Sequence, residues 1–146
     1  MDKVKRLIEE KGSEIYSVPP EETVWEAVRT MAGRHIGAIL VVEGNQLVGI
    51  FSERDLLVRV LLTGLDPTVT PIKAVMSTDM VYVTPETPVR EAMAVMTERR
   101  CRHLPVMEGQ EMRGMVSIGD CTRWVSRDQD YTIRHLQDYI HGKYPG

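Results

Sequence analysis

Sliding the sequence against itself by 65 positions aligns Val18 through Val60 with Val83 through Val125 without a gap, and 15 of those 43 positions are identical. Chance would leave only a few. Self-similarity at a fixed period marks a repeated supersecondary unit that cannot bury its apolar face alone, so the copies must pack on each other. The matches are structurally placed. Val24/Val89, Ala27/Ala92 and Met31/Met96 recur at i, i+3 and i+7, one face of a helix. Glu43-Gly44/Glu108-Gly109, Gly49/Gly114, Ser52/Ser117 and Asp55/Asp120 repeat the turns and breaks of the first copy in the second.

Each copy reads as β-α-β-β-α. In the first, a short strand over Ile15 to Val18 is stopped by Pro19-Pro20, and a helix from about Glu22 to Arg34 buries Val24, Ala27, Val28 and Met31. The run Ala38 to Val42 is too uniformly apolar for a strand with one wet face and should be central in its sheet. Turn residues 43–46 lead to a second strand, Leu47 to Phe51, and a helix runs from Ser52 to about Leu62, ending near Gly64. The second copy repeats this with a strand from Met80 to Val83, a helix from about Thr87 to Arg99, strands His103 to Met107 and Met112 to Val116, and a helix from Ser117.

The fold class is therefore α/β (α+β). An N-terminal helix occupies residues 1–12, the first module 13–64, a linker 65–77, the second module 78–126, and a C-terminal helix and tail 127–146. Within the linker, Ile72 to Met76 forms a helical turn. Val4, Leu7 and Ile8 stripe the N-terminal helix, ended by Gly12; Ile133, Leu136 and Ile140 stripe the C-terminal one, ended near Gly142. Both stripes serve packing, on the core or on a second subunit.

Composition narrows the partners. A net charge of −3 with no basic block argues against nucleic acid, and no apolar run approaches the roughly 20 residues of a membrane span. The first ten residues lack a signal peptide's apolar stretch, so the expected location is cytoplasmic. Cys101 and Cys121 align with Ile36 and Leu56, which makes them core residues rather than redox groups. His35, His103, His135 and His141 show no metal-ligand spacing, and no metal or required cofactor is expected. No phosphate-binding glycine loop or nucleophile elbow is present, and the chain reads as a non-enzyme. Trp25, on the polar side of its helix, is expected to mark a subunit contact.

The chemistry sits in Gly-x-x-Ser-x-x-Asp. Ser52 stands where a strand gives way to a helix, so its hydroxyl can cap the helix and the adjacent N–H groups can hold an anion. Asp55 lies in the first turn, where a carboxylate can accept hydrogen bonds from the vicinal hydroxyls of a ribose, and Arg54 can add a charge-assisted phosphate contact. The competing reading is a helix capping box and nothing more.

These segments, GIFSERD at Gly49 to Asp55, GMVSIGD at Gly114 to Asp120, the strand phrases GAILVV and HLPVM and the opening V-x-P, resemble the CBS domain, a family usually found as tandem pairs called Bateman modules. The resemblance covers about residues 13 to 126. It implies tandem CBS domains packed about a pseudo-twofold axis with two clefts, in which the Asp of one copy faces the strand starts of the other. The first site would then combine Ser52, Arg54 and Asp55 with Met80, Val81, Tyr82, Arg102 and His103. The second would combine Ser117 and Asp120 with Tyr16, Ser17, Ile36, Gly37 and Ala38; with Gly119 in place of Arg54, it is poorer in charge. The resemblance further implies a regulatory adenine-nucleotide ligand of the AMP, ADP, ATP or NAD class, a homodimer packed through the helices, and a partner protein that reads the ligated state. The alternative is a ligand-independent dimerisation or interaction scaffold.

Overall fold

In the computed structural model, which describes residues 2–11 and 15–127, each copy of the repeat lays a helix against a hairpin. In the first unit Ser17–Val18 (β1) runs parallel to Ala38–Glu43 (β2), which pairs antiparallel with Gln46–Ser52 (β3), Ser17 lying opposite Leu40 and Ala38 opposite Ser52. The intervening helix, Val24–Arg34 (here α2, after the N-terminal α1, Val4–Lys11), starts at Thr23, whose hydroxyl accepts a bond from the Glu26 N–H at 3.2 Å. Its Val24, Ala27 and Met31 are buried, with Val28 partly buried beside them.

The reading of Ala38 to Val42 as a central strand holds: β2 lies between β1 and β3, and Ala38 to Val41 are fully buried. Side chains alternate along it. Ile39 and Val41 join the core of their own unit, while Ala38 and Leu40 occupy the face turned to the second unit, whose His103 and Pro105 share a cleft wall with Ala38.

The second unit repeats the plan with α4 (Val89–Arg99), β4 (His103–Glu108), β5 (Glu111–Ser117) and a helix, α5, described over residues 118–127. Its expected first strand, Met80 to Val83, does not form; only a bridge from Val83 to Val106 remains. Pro105 supplies the reason. In the first unit the Leu40 N–H donates to the Tyr16 carbonyl at 3.3 Å, and Pro105, which aligns with Leu40, has no N–H to donate. The bonds that survive, Val83 N–H to Pro105 O and Met107 N–H to Val83 O, are those a proline permits.

The helix expected from Ser52 to Leu62 also differs in kind. Only Glu53–Asp55 (α3) is α-helical, and Leu56–Leu61 is a π-helix, with the Leu62 N–H bonded to the Leu57 carbonyl at 3.0 Å.

The flanking segments are exchanged between the units. The Ile72 N–H bonds the Glu22 carbonyl and the Lys73 N–H the Pro20 carbonyl; in the second unit the Val4 N–H bonds Thr87 O and the Lys5 N–H bonds Pro85 O. Ile72 and Val75, read as linker, are thus core residues of the first unit, and Val4 and Leu7 are core residues of the second. Two glycines make room for this exchange. A Cβ at residue 49 would fall 2.4 Å from the Met76 sulfur, and one at 114 would fall 3.3 Å from Ile8 Cδ1. The flanks therefore repeat at a spacing of 68 residues, with Val4, Leu7 and Ile8 corresponding to Ile72, Val75 and Met76. The C-terminal stripe of Ile133, Leu136 and Ile140, with His135 and His141, lies outside the described residues. Among the described residues no helix is long and apolar enough to cross a membrane.

Candidate functional site

The two helices that precede the central strands end in the same way, and this shapes the site. His35 and Arg100 adopt left-handed backbone, with φ of 56° and 55°, and turn the chain from helix to strand. The second of these turns carries Arg100, Cys101, Arg102 and His103 into a cleft of about 930 Å³ between the units. From the first unit the cleft receives Ser52, Glu53, Arg54 and Asp55 at the β3–α3 junction, and Leu57, Val58 and Arg59 from the π-helix.

Asp55 is only 8% exposed, and its position is fixed by reciprocal bonds with Ser52. Oδ2 accepts the Ser52 N–H at 2.9 Å and lies 3.1 Å from its hydroxyl, while the Asp55 N–H donates to Ser52 Oγ at 3.2 Å. Its other oxygen, Oδ1, faces Arg59 Nε at 3.6 Å, beyond hydrogen-bonding distance. The second copy makes the same bonds, Ser117 N–H to Asp120 Oδ2 at 2.9 Å and Asp120 N–H to Ser117 Oγ at 3.0 Å. Both copies thus form capping boxes, as the capping reading of the motif expects.

The residues expected at two sites are distributed differently. Ser52, Arg54, Asp55, Met80, Val81, Arg102 and His103 line the cleft together, and so do Gly37, Ala38 and Ser117 from the expected second site. Tyr82, 60% exposed, stands outside the lining. Tyr16 and Ile36 pack against the core of the first unit, Arg34 stacks over the Tyr16 ring at 5.1 Å, and Ser17 is exposed. Asp120 belongs to a separate concavity of about 330 Å³, with Lys11, Arg123 and Trp124 among its walls.

Charge in the cleft is uneven. Five arginines (54, 59, 99, 100 and 102) line it against three carboxylates, Glu53, Asp55 and Asp79. Arg99 reaches Asp79 at 3.5 Å, and Arg59 donates to the Met76 carbonyl at 3.0 Å. Among the described residues Arg54, Arg100 and Arg102 have no side-chain hydrogen bond or ion pair. His103 is half-buried in the cleft wall. A Cβ on Gly37 would sit 3.1 Å from its Cε1, so this glycine is what lets the imidazole and Glu53 approach the start of β2. Burial lowers the His103 pKa below its ordinary value, against the pull of Glu53, and Arg102 lowers it further. That shift favours the neutral imidazole.

Sequence reading missed Arg59, Arg99, Arg100 and Lys11. Arg99 carried a signal, because Arg34/Arg99 is one of the identical pairs of the repeat. Cys121 is fully buried, its thiol pushed up to about 11 chiefly by burial, and Cys101 is a half-buried part of the cleft wall.

Comparison with known proteins agrees with this architecture. The family model described as CBS domain matches residues 8–62 and 72–127. The chain is 39% identical over 129 residues to the mitochondrial CBS domain-containing protein CBSX3 of Arabidopsis thaliana, covering 85% of this chain and 63% of that protein. It spans less than two thirds of the length of the first curated relatives it matches. Among solved structures, a protein with CBS domains from Burkholderia ambifaria superposes with a TM-score of 0.84 at 37% identity, covering 88% of this chain and 96% of that one. The CBS domain protein PAE2072 from Pyrobaculum aerophilum, solved in complex with AMP, superposes with a TM-score of 0.73 at 24% identity, covering 82% and 89%.

Proposed function

Because the chain belongs to the CBS-domain family, as a tandem pair forming a regulatory module, we propose that it binds an adenine nucleotide in the cleft at Asp55 and signals its occupancy to a partner protein. The observation that carries this reading is the pairing, across one cleft, of a buried carboxylate with guanidinium groups that have no side-chain hydrogen bond or ion pair among the described residues. A ribose diol would donate to Asp55 Oδ1, and phosphates would sit among Arg54, Arg102 and His103. Leu57 and Val58 offer an apolar surface for the base, beside the backbone of Met80 and Val81. The AMP carried by the Pyrobaculum protein supports the same ligand class here.

A ligand that touches both units stabilises whichever arrangement of them it fits better, and the resulting population shift is the signal. The π-helix gives that signal a route outward, since it contributes to the cleft and also leaves Leu61 and Leu62 exposed. Such an apolar helix surface suits a homodimer.

A thermal-shift series with AMP, ADP, ATP, NAD and S-adenosylmethionine tests the proposal. A nucleotide at about a hundred times its Kd adds about 2.7 kcal/mol of stability, a rise in Tm of roughly 5–10 °C for a chain of this size. No shift with any of them at millimolar concentration would favour the second reading, a ligand-independent scaffold. The complete capping boxes in both copies are the observation on its side.

Binding should also depend on pH. Phosphate beside His103 favours the imidazolium, raising in the complex a pKa that burial lowers in the free protein. The complex therefore takes up a proton, and affinity strengthens as pH falls from 7.5 towards 6. In His103→Gln, the same titration should keep only the dependence of the nucleotide's own phosphate, which has the opposite sign because arginines favour the dianion; an unchanged slope would place the phosphates elsewhere.

A further inference from the structure

The two motif carboxylates have the same capping bonds but opposite surroundings. Asp120 Oδ2, besides the Ser117 N–H, accepts the ammonium of Lys11 at 2.7 Å, and Oδ1 accepts Arg123 Nη2 at 2.7 Å. Lys11 also donates to the Met115 carbonyl at 2.9 Å, so its side chain is held between the end of β5 and the start of α5. Both oxygens of Asp120 are therefore engaged by cations. Among the described residues, the cation paired with Asp55 is Arg59, at 3.6 Å.

The difference originates in the exchanged flanks. The segment serving the first unit is a single 3-10 turn, Ile72–Ala74, after which the chain becomes extended and Ser77 exchanges backbone bonds with Ile50. The segment serving the second unit continues as two turns of α-helix, and the last residue of α1 is Lys11. Leu7 and Val4 anchor α1 in the core, Ile8 rests over Gly114, and Glu10 pairs with Arg127 of α5. The helix thus delivers its terminal ammonium to Asp120 from a fixed base. Burial tends to raise the Asp120 carboxyl, but the Lys11 ammonium and the Ser117 N–H outweigh it and hold the group below its ordinary range. Ser117 and Gly119, from the same helix start, line the cleft, which puts the pair beside it.

We propose that Lys11 is a built-in stopper. Its ammonium takes the place at Asp120 that a ligand's diol would take, so that in the free protein only the Asp55 site accepts ligand. This rests on the nucleotide-binding reading above. A ligand entering at Asp120 must first displace Lys11, and removing that ammonium opens the second site.

The stoichiometry of AMP binding to the full chain, measured by equilibrium dialysis, tests this. The wild type is expected to bind one AMP per chain and Lys11→Met two, while Lys11→Arg, which keeps a cation on Asp120, stays at one. Asp120→Asn in the wild-type background should leave the single site unaltered. Two AMP per wild-type chain, one per Lys11→Met chain with circular dichroism unchanged, or loss of the wild-type site in Asp120→Asn would each overturn the stopper. In each of those cases wild-type binding that Asp55→Asn weakens leaves the nucleotide-binding reading standing; if no protein binds AMP, both readings fall together.

Discussion

Asp55→Asn is expected to weaken nucleotide binding at least about 100-fold while leaving the fold within about 1 kcal/mol of the wild type. Hydrogen bonds to a charged group contribute about 1.5–3 kcal/mol each, so losing the charge that accepts a diol removes about 3 kcal/mol or more, and 1.4 kcal/mol is tenfold in affinity. The asparagine carbonyl can still accept the Ser52 N–H, which Asp55 Oδ2 now accepts at 2.9 Å, so the cap survives. The substitution thereby separates the observed capping role of this carboxylate from the proposed ligand-binding one. Titration with AMP and ATP beside a urea unfolding curve reads both. Binding retained with stability lost would mean that the motif is a helix cap alone.

Ile72→Ala should cost about 2–5 kcal/mol of unfolding free energy, the range for truncating a large buried aliphatic side chain. Its position between the repeats suggests a tolerant linker, but it is fully buried in the core of the first unit and its N–H bonds Glu22 O at 2.7 Å. A urea midpoint close to that of the wild type would contradict the exchange of flanking segments, because surface substitutions are usually within about 0.5 kcal/mol.

What could be read from the sequence follows from what is local. The stripe Val24, Ala27 and Met31, the apolar run Ala38 to Val41 and the glycine turns each carry their structural reason within a few residues, and the 65-residue repeat doubles the signal. Where the flanks pack was not legible. Val4, Leu7 and Ile8 announce an apolar face, but a stripe does not name its partner, and the spacing of the flanks is 68 rather than 65. Gly49 and Gly114, legible as breaks, prove to be landing places for Met76 and Ile8. The missing strand before Val83 needed the pairing register before the proline at 105 could explain it.

The candidate site was legible to the same limit. Ser52, Arg54 and Asp55 are adjacent in sequence, and their relation to Arg102 and His103 followed from the resemblance to a family whose copies face each other. Tyr82 turned outward, and Asp120 met a lysine from the far end of the chain. The asymmetry expected from Gly119 thus gained a second source that no comparison of the aligned copies could reveal, since Lys11 lies outside them.

The central claim is that the Asp55 cleft holds an adenine nucleotide. Equilibrium dialysis of the wild-type chain against radiolabelled ATP, with unlabelled AMP as competitor, tests it most directly. The account predicts saturable binding of one equivalent per chain, half-saturated at or below about 1 mM and displaced by AMP. Binding that fails to saturate, or that AMP does not displace and Asp55→Asn does not weaken, would contradict it.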